Sequence, residues 1–379
     1  MENVQREEYR PEFSLTAEGR DITALMRENL VEIRLTDNGG ATAKADELQI
    51  TILSETMALP NKGARLRLGL GFNGVLQDKG WFVVSGISSS GPPRKIVIYA
   101  TAAPMNAQRQ PGDVLNQKSR SWDGVNLGDI VKTVASDNGL IPKVAGALAD
   151  IAVGHLDQVN ESDAALMTRL ASRFNAISKP SGGYWLFLQQ GESLSVGGKP
   201  LASVTILKDE VSEWGYTDGQ QRGATTGPGK KGEGGKKGKI SVAYFDPEDG
   251  RTKTQSLEHD GPSQSHPFTQ PTKTAANHSA QSRKTQVSRN ERRMTLSGPC
   301  RPAHIPLTAE SRVITQGFGT VEDRSWLIES LVFSLTSQGM SFAFNLATDI
   351  KPPKGKDGKK PGKKKDDGIG YFDKNNGSL

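Results

Sequence analysis

The stretch Asp78–Thr101, DKGWFVVSGISSSGPPRKIVIYAT, returns in altered form as Asp323–Thr348, DRSWLIESLVFSLTSQGMSFAFNLAT. Both open on Asp-x-x-Trp, carry two apolar residues and two spaced serines, turn, and finish on an alternating run ending in Ala-Thr. Asp78 matches Asp323, Trp81 matches Trp326, Ser85 matches Ser330 and Ser89 matches Ser334. Gly71-Phe72 and Gly317-Phe318 extend the match more loosely. Internal self-similarity marks a repeated architectural unit, and the period-two alternation makes that unit a β-hairpin.

The surrounding sequence agrees. In the first hundred residues Val31, Ile33 and Leu35 alternate, as do Leu48, Ile50 and Ile52, and then Leu66, Leu68 and Leu70. Turn signals such as Asp37-Asn-Gly-Gly40, Asn73-Gly74 and Gly91-Pro-Pro93 separate these runs at the spacing of a barrel or sandwich. Alternation returns over 312–348. The expected fold is mainly β with an α/β insertion, built on two related tube-like β-barrels. Three copies of such a chain place six similar barrels in a ring, which suits a part joining a sixfold object to a threefold one.

Between about Gln110 and Gln190 the period turns helical. Leu127, Ile130, Val131, Val134 and Ala135 share one face, with Asn126 placed as N-cap and Gly139 as a stop. A second helix is expected from Ser162, its N-cap, with Asp163 near the positive end of the dipole. Leu166, Leu170, Phe174 and Ile177 line its face, and Lys179-Pro180 stops it. The GGYWLFLQQG run then returns as a strand. Farther on, strands are expected at Ile240–Phe245 and Thr252–Leu257, and a weak surface helix with Ala275, Ala276, Ala280 and Val287 as its apolar points. The boundaries that follow are a first barrel at 1–108, the α/β insertion at 109–200 and a second barrel at 201–350. The second barrel carries a Gly/Lys-rich loop at 219–239 and a polar segment at 258–293. A disordered basic tail at 351–379 closes the chain.

Charge separates the body from its appendages. The chain of 379 residues has a formal net charge of +6. The tail from Lys351 and the loop from Arg222 to Lys239 each contribute about +5. The remaining body is mildly acidic, which argues against a nucleic-acid-binding fold. There is no apolar run of membrane-spanning length and no signal-peptide core near the N-terminus. A single cysteine, Cys300, fits folding in a reducing cytoplasm.

The sequence offers no candidate catalytic, cofactor-binding or metal residue. Gly69-Leu-Gly-Phe-Asn-Gly74 spells a dinucleotide fingerprint but is followed by a strand rather than the helix that fingerprint needs. His259-Asp260 with Ser256 and Ser263 lies in a polar region without a nucleophile's context. The five histidines and Cys300 lack zinc spacing. Trp81, Trp185, Trp214 and Trp326 sit in apolar patterns and are expected to pack in cores or interfaces.

Three segments carry a resemblance: HLDQVNESDAALMTRLASRFNAISKPSGGYWLF, EVSEWGYTDGQQR with the strand ISVAYFDPEDGR, and GFGTVEDRSWLIESLVFSLTSQGMSFAFNLA. They resemble the late control D proteins of temperate contractile-tailed phages, over most of residues 10–350. Those proteins are baseplate hubs, similar to the hub part of type VI secretion spike proteins. The resemblance implies a non-enzymatic homotrimer of tube-like barrels between the tail tube protein and the central spike protein. It would also meet the tape-measure protein and baseplate wedge proteins, in a virion baseplate assembled in the host cytoplasm. No cofactor, specific nucleic acid or stable membrane insertion is implied. The hub of a phage-derived bacteriocin or other contractile injection system is a close alternative. A tail-associated cell-wall hydrolase and a DNA-binding late regulator are more distant ones. The Lys/Gly loop and the basic tail depart from the family core.

Overall fold

The structure, a computed structural model, describes residues 9–39, 45–102, 114–181, 183–195, 197–219, 238–259 and 263–350. The basic tail and most of the Gly/Lys loop lie outside the described residues.

The chain begins with β1 (Pro11–Ala17), β2 (Arg20–Asp21), α1 (Thr23–Asn29), β3 (Leu30–Asn38), β4 (Glu47–Leu53), β5 (Arg65–Phe72), β6 (Val75–Ser90) and β7 (Lys95–Thr101). A central unit follows: β8 (Gln117–Asn126), α2 (Leu127–Asp137), β9 (Ile141–Val144), α3 (Gly146–Ala149), β10 (Ala152–Ser162), α4 (Asp163–Phe174), β11 (Ala176–Ser181) and β12 (Tyr184–Gln189). The last part holds β13 (Ser203–Leu207), β14 (Glu213–Asp218), β15 (Gly238–Asp246), β16 (Arg251–His259), β17 (Gln264–Ser265) and α5 (Lys273–Asn290). It ends with β18 (Arg292–Pro299), β19 (Arg312–Gln316), β20 (Ser325–Thr336) and β21 (Gly339–Thr348).

Thirteen strands from both ends of the chain form one sheet. Its first half runs β1-β5-β6-β7-β4-β3 in space, with the two-residue β2 beyond β1, and its second runs β13-β19-β20-β21-β18-β14. Taken in chain order within each half, these two arrangements are the same. Their outermost pairs differ in direction, β1–β5 being antiparallel and β13–β19 parallel. The halves meet where β3 pairs antiparallel with β20. Among the described residues no pairing closes either half into a barrel; both lie open within the shared sheet. The fold is mainly β with antiparallel sheets. One apolar core, from Phe13 to Leu346, runs beneath both halves.

The two repeated hairpins, β6–β7 and β20–β21, each carry one bulge. It falls between Val84 and Gly86 in the first and between Ile328 and Ser330 in the second. By sheet register the counterpart of Ser334 is therefore Ser90, one residue past the Ser89 that sequence matching selects. Trp326 is fully buried, its Nε1 donating to Thr315 Oγ1 at 3.0 Å. Trp81 is half-buried beneath the Arg67 guanidinium, 5.5 Å from the ring centre.

The central unit has its own core, including Leu127, Ile130, Val134, Leu166, Leu170 and Trp185. Asn126 is extended but makes no side-chain cap; Leu127 N–H instead donates to Ile151 O at 2.8 Å. Ser162 does cap α4, accepting from Ala165 N at 3.2 Å. The expected stop at Lys179-Pro180 is corrected. α4 ends at Phe174 because Asn175 adopts the left-handed conformation (φ 51°), which asparagine tolerates better than most residues. Ile177, Lys179 and Pro180 belong instead to β11, paired with β12.

Strands β15 and β16 form a separate sheet with β17, on which α5 packs through Ala276 and Ala280. The expected weak surface helix is an 18-residue helix with Ser279, Ser282 and Arg289 buried. Its polar face meets α4, where Ser282 Oγ donates to Ser172 O at 2.6 Å. Small side chains let two helices approach without a wide apolar stripe, so hydrophobic periodicity alone understates the burial.

Candidate functional site

Three distant segments meet at a charged clasp. Lys179, on β11, extends its ammonium to Asp37 Oδ1 at 2.8 Å, to Asn38 O at 3.1 Å and to both oxygens of Asp46 at 3.0 Å. Asp37 Oδ2 accepts from Ala309 N at 3.0 Å, and Asp46 Oδ1 accepts from Asn38 N at 3.0 Å. The first half of the sheet, the central unit and the second half are thereby fastened at one point. Burial alone would raise the Asp37 pKa, but the charge and hydrogen bond of Lys179, with the Ala309 N–H, hold it below the usual carboxylate range. Asp46 is pushed up to about 7 by burial and by the negative charge of Asp37, against the pull of Lys179.

Beside the clasp lies a cavity of about 90 Å³, between Leu35, Phe82 and Phe333 of the sheet and Ile177 and Leu186 of β11 and β12. Glu310 lines it, with Oε2 accepting from Gly191 N at 2.8 Å; burial raises its pKa. Lys79, from β6, donates to Ile305 O and lies 5.1 Å from the Phe333 ring centre. Burial lowers its pKa to about 8. Such a set of charges is suited to locking segments together. It has the bridging hydrogen bonds of a fastening.

A second buried charge, Asp163, holds the central unit together. It was expected only to sit favourably at the start of α4. Its carboxylate takes Arg120 Nη2 at 2.5 Å, Lys118 Nζ at 2.6 Å, Asn138 Nδ2 at 2.8 Å and Gln158 Nε2 at 3.0 Å. These partners come from β8, the end of α2 and β10, so one side chain ties four elements. Burial opposes its charge, yet the hydrogen bonds from Lys118, Gln158 and Asn138 keep its pKa below the ordinary value.

The joint between the two halves of the sheet is the third element. Glu32–Asn38 of β3 pairs with Ser330–Thr336 of β20, Thr336 opposite Glu32 and Ser330 opposite Asn38. Ile33, Leu35, Phe333 and Leu335 bury their side chains beneath it.

The residues weighed for chemistry are dispersed. Gly69–Gly74 forms the end of β5 and a turn into β6, with Asn73 and Gly74 at positive φ (50° and 81°). His259 is buried at the end of β16, while Ser256 Oγ bonds Ser241 Oγ at 3.0 Å and Ser263 Oγ accepts from Lys239 N at 3.1 Å. Asp260 lies outside the described residues. Cys300 is buried and its thiol is pushed up to about 12 by that burial, far from nucleophilic form at neutral pH. Among the described residues no cluster of three or more His, Cys, Asp or Glu side chains is arranged to hold a metal, and no helix is long and apolar enough to cross a membrane.

The clasp was not legible in sequence. Lys179 is 142 residues from Asp37 and 133 from Asp46, and nothing in local spacing links them.

No family model matches the chain. Two curated relatives, each named a probable baseplate hub protein, come from Escherichia phage 186 and Escherichia phage P2. Each is 34% identical over 218 residues, 57% of this chain and 54% or 55% of theirs. The chain thus spans about half the length of the curated relatives it matches. Among solved structures, the 43 kDa tail protein of prophage MuSo2 from Shewanella oneidensis superposes with a TM-score of 0.62 at 13% identity. It covers 90% of this chain and 98% of its own. A tail protein from Neisseria meningitidis MC58 gives 0.60 at 11% identity, over 90% and 97%. A type VI secretion system component of E. coli gives 0.52 at 10% identity, over 88% and 76%. These structures establish the fold alone. The resemblance carried by the central segment and the closing hairpin therefore holds, and the chain is similar to the baseplate hub proteins of Escherichia phages 186 and P2.

Proposed function

We propose that the chain is a structural, non-enzymatic hub of a contractile-tail baseplate. Three copies would form a pseudo-sixfold ring, with the sixfold tail tube on one side and the trimeric central spike on the other. The tape-measure protein and the wedge proteins are its further neighbours, and the virion tail is its place. The likeness to two named hub proteins carries this reading. The common strand order of the two halves supports it, because a chain with two like halves presents six like units from three copies. Charged groups that fasten segments fit a part bearing load during contraction.

Light scattering on the purified protein, alone and mixed with the tube and spike proteins of the same tail, tests the reading. The expected mass is that of three chains, or of three chains on one spike. A monomer under every one of these conditions would sink it.

A further inference from the structure

Among the described residues the joint inside the chain has two unfilled counterparts: β14, at one end of the sheet, and the second part of β6, which β5 leaves uncovered. Successive strand partners align the halves residue by residue. In the first half Ile33 pairs with Ile50, Ile50 with Ile98 and Ile98 with Ile87. In the second half Trp214 pairs with Leu296, Leu296 with Phe344 and Phe344 with Leu331. The same walk across four strands therefore sets β3 against β14 and β20 against β6. It also exposes a repeat hidden in the sequence: Glu32-Ile-Arg-Leu-Thr-Asp37 answers Glu213-Trp-Gly-Tyr-Thr-Asp218.

Within the chain, β3 lies on the second part of β20. β19 covers only the start of that side, through Ser325–Leu327. β6 is built alike: β5 covers it only as far as Val83, and Gly86–Ser90 pairs with β7 alone among the described residues. Ser88, Ser89 and Ser90 are exposed. On the opposite side of the sheet, β14 pairs with β18 alone among the described residues. Each copy thus presents one strand of the β3 type and one of the β20 type, both with an edge left open among the described residues. Such edges are normally blunted by lysine, proline or a cover; Gly86-Ile-Ser-Ser-Ser90 contains neither residue.

We propose that β14 of one copy adds antiparallel to Gly86–Ser90 of the next, repeating between chains the joint that β3 and β20 make within one. This rests on the hub reading and names the contact that would close its ring. The register follows from the internal joint, where Val332 faces Thr36 and Ser334 faces Arg34. Across the new joint, Ser88 faces Thr217 and Ser90 faces Gly215. Glu32, which accepts from Ser334 Oγ inside the chain, has Glu213 as its counterpart, within reach of Ser90 of the neighbour. The contact is head-to-tail, so it propagates around a ring rather than ending at a pair.

Disulfide trapping tests it. Opposed residues of an antiparallel pair have Cα atoms about 4.5–5.5 Å apart, a separation a disulfide spans. The full chain carrying both Ser88→Cys and Thr217→Cys is expected to cross-link under mild oxidation into species of up to three chains. A mixture of the two single variants is expected to stop at two. Pairing Ser88→Cys with Glu213→Cys, out of register, is expected to stay uncross-linked, and circular dichroism confirms that each variant is folded. A folded trimer that fails to cross-link overturns this joint and leaves the hub ring standing. A chain that stays monomeric with tube and spike proteins present overturns both.

Discussion

Ser334 Oγ donates to Glu32 Oε1 at 2.7 Å across 302 residues of chain. That bond lies on the strand pair by which the two halves of the sheet become one. The pair is backed by Phe333, which packs edge-on against Phe344 at 6.4 Å and lies under the Lys79 ammonium.

Replacing Phe333 with alanine empties a fully buried site at this joint. The expected cost is about 3–5 kcal/mol, read as a lower midpoint in urea unfolding. Ser334→Ala removes one hydrogen bond at the same joint and is expected to cost about 1 kcal/mol. Equal losses from the two variants would mean that the joint is not a packed core.

Lys179→Met leaves Asp37 and Asp46 buried without their cation. Removing one partner of a buried ion pair costs about 3–5 kcal/mol, so the variant is expected to unfold at markedly lower urea. Adding Asp46→Asn to it should restore part of the loss, because one of the stranded charges is gone. A double variant as weak as the sum of the single ones would show that the three side chains act independently.

Acid sensitivity is expected from His304. The ring is buried against Phe342, at 4.6 Å between centroids, and its Nδ1 accepts from Arg301 N at 3.2 Å, a role open only to the neutral form. Burial holds its pKa down at about 4, below the ordinary histidine value of about 6.5. Between those values the unfolded chain binds more protons than the folded one, so stability rises with pH and is lost on acidification. The slope contributed is at most about 1.4 kcal/mol per pH unit. Stability measured from pH 6.5 down to 4 in His304→Gln should lack this component; an unchanged slope would exclude His304 as its source.

At the start of α4 two neighbouring residues are expected to differ in weight. Ser162→Ala removes a cap worth about 1 kcal/mol. Asp163→Ala releases Lys118, Arg120, Asn138 and Gln158 together and is expected to cost about 3 kcal/mol. Thermal unfolding of the two variants side by side decides the order.

Period-two alternation made the strands of the sheet legible, and the Asp-x-x-Trp hairpins announced that it repeats. The β3–β14 match escaped notice because different lengths of chain separate each member from its hairpin: β15 to α5 intervene in the second half alone. Aligned on their bulges, the hairpins lie one residue off the sequence match along their whole length, so Ser90 rather than Ser89 answers Ser334, and Phe82 rather than Trp81 answers Trp326. Apolar spacing carries helix α4 three residues too far, to Ile177, whereas the backbone turns at Asn175. The clasp and the Asp163 cluster depend on tertiary approach between residues that no local pattern connects.

The pairing of β3 with β20 also sets a schedule. β3 leaves the ribosome about 300 residues ahead of its partner edge. At about 5–20 residues per second of synthesis, the nascent first half waits on the order of 15–60 s with Ile33 and Leu35 lacking their final cover. During that interval the same edge is open to any other unfinished chain nearby. Contacts so far apart in sequence also make for slow folding. Yield on overexpression is therefore expected to be governed by how many nascent chains stand side by side, more than by the stability of the finished sheet.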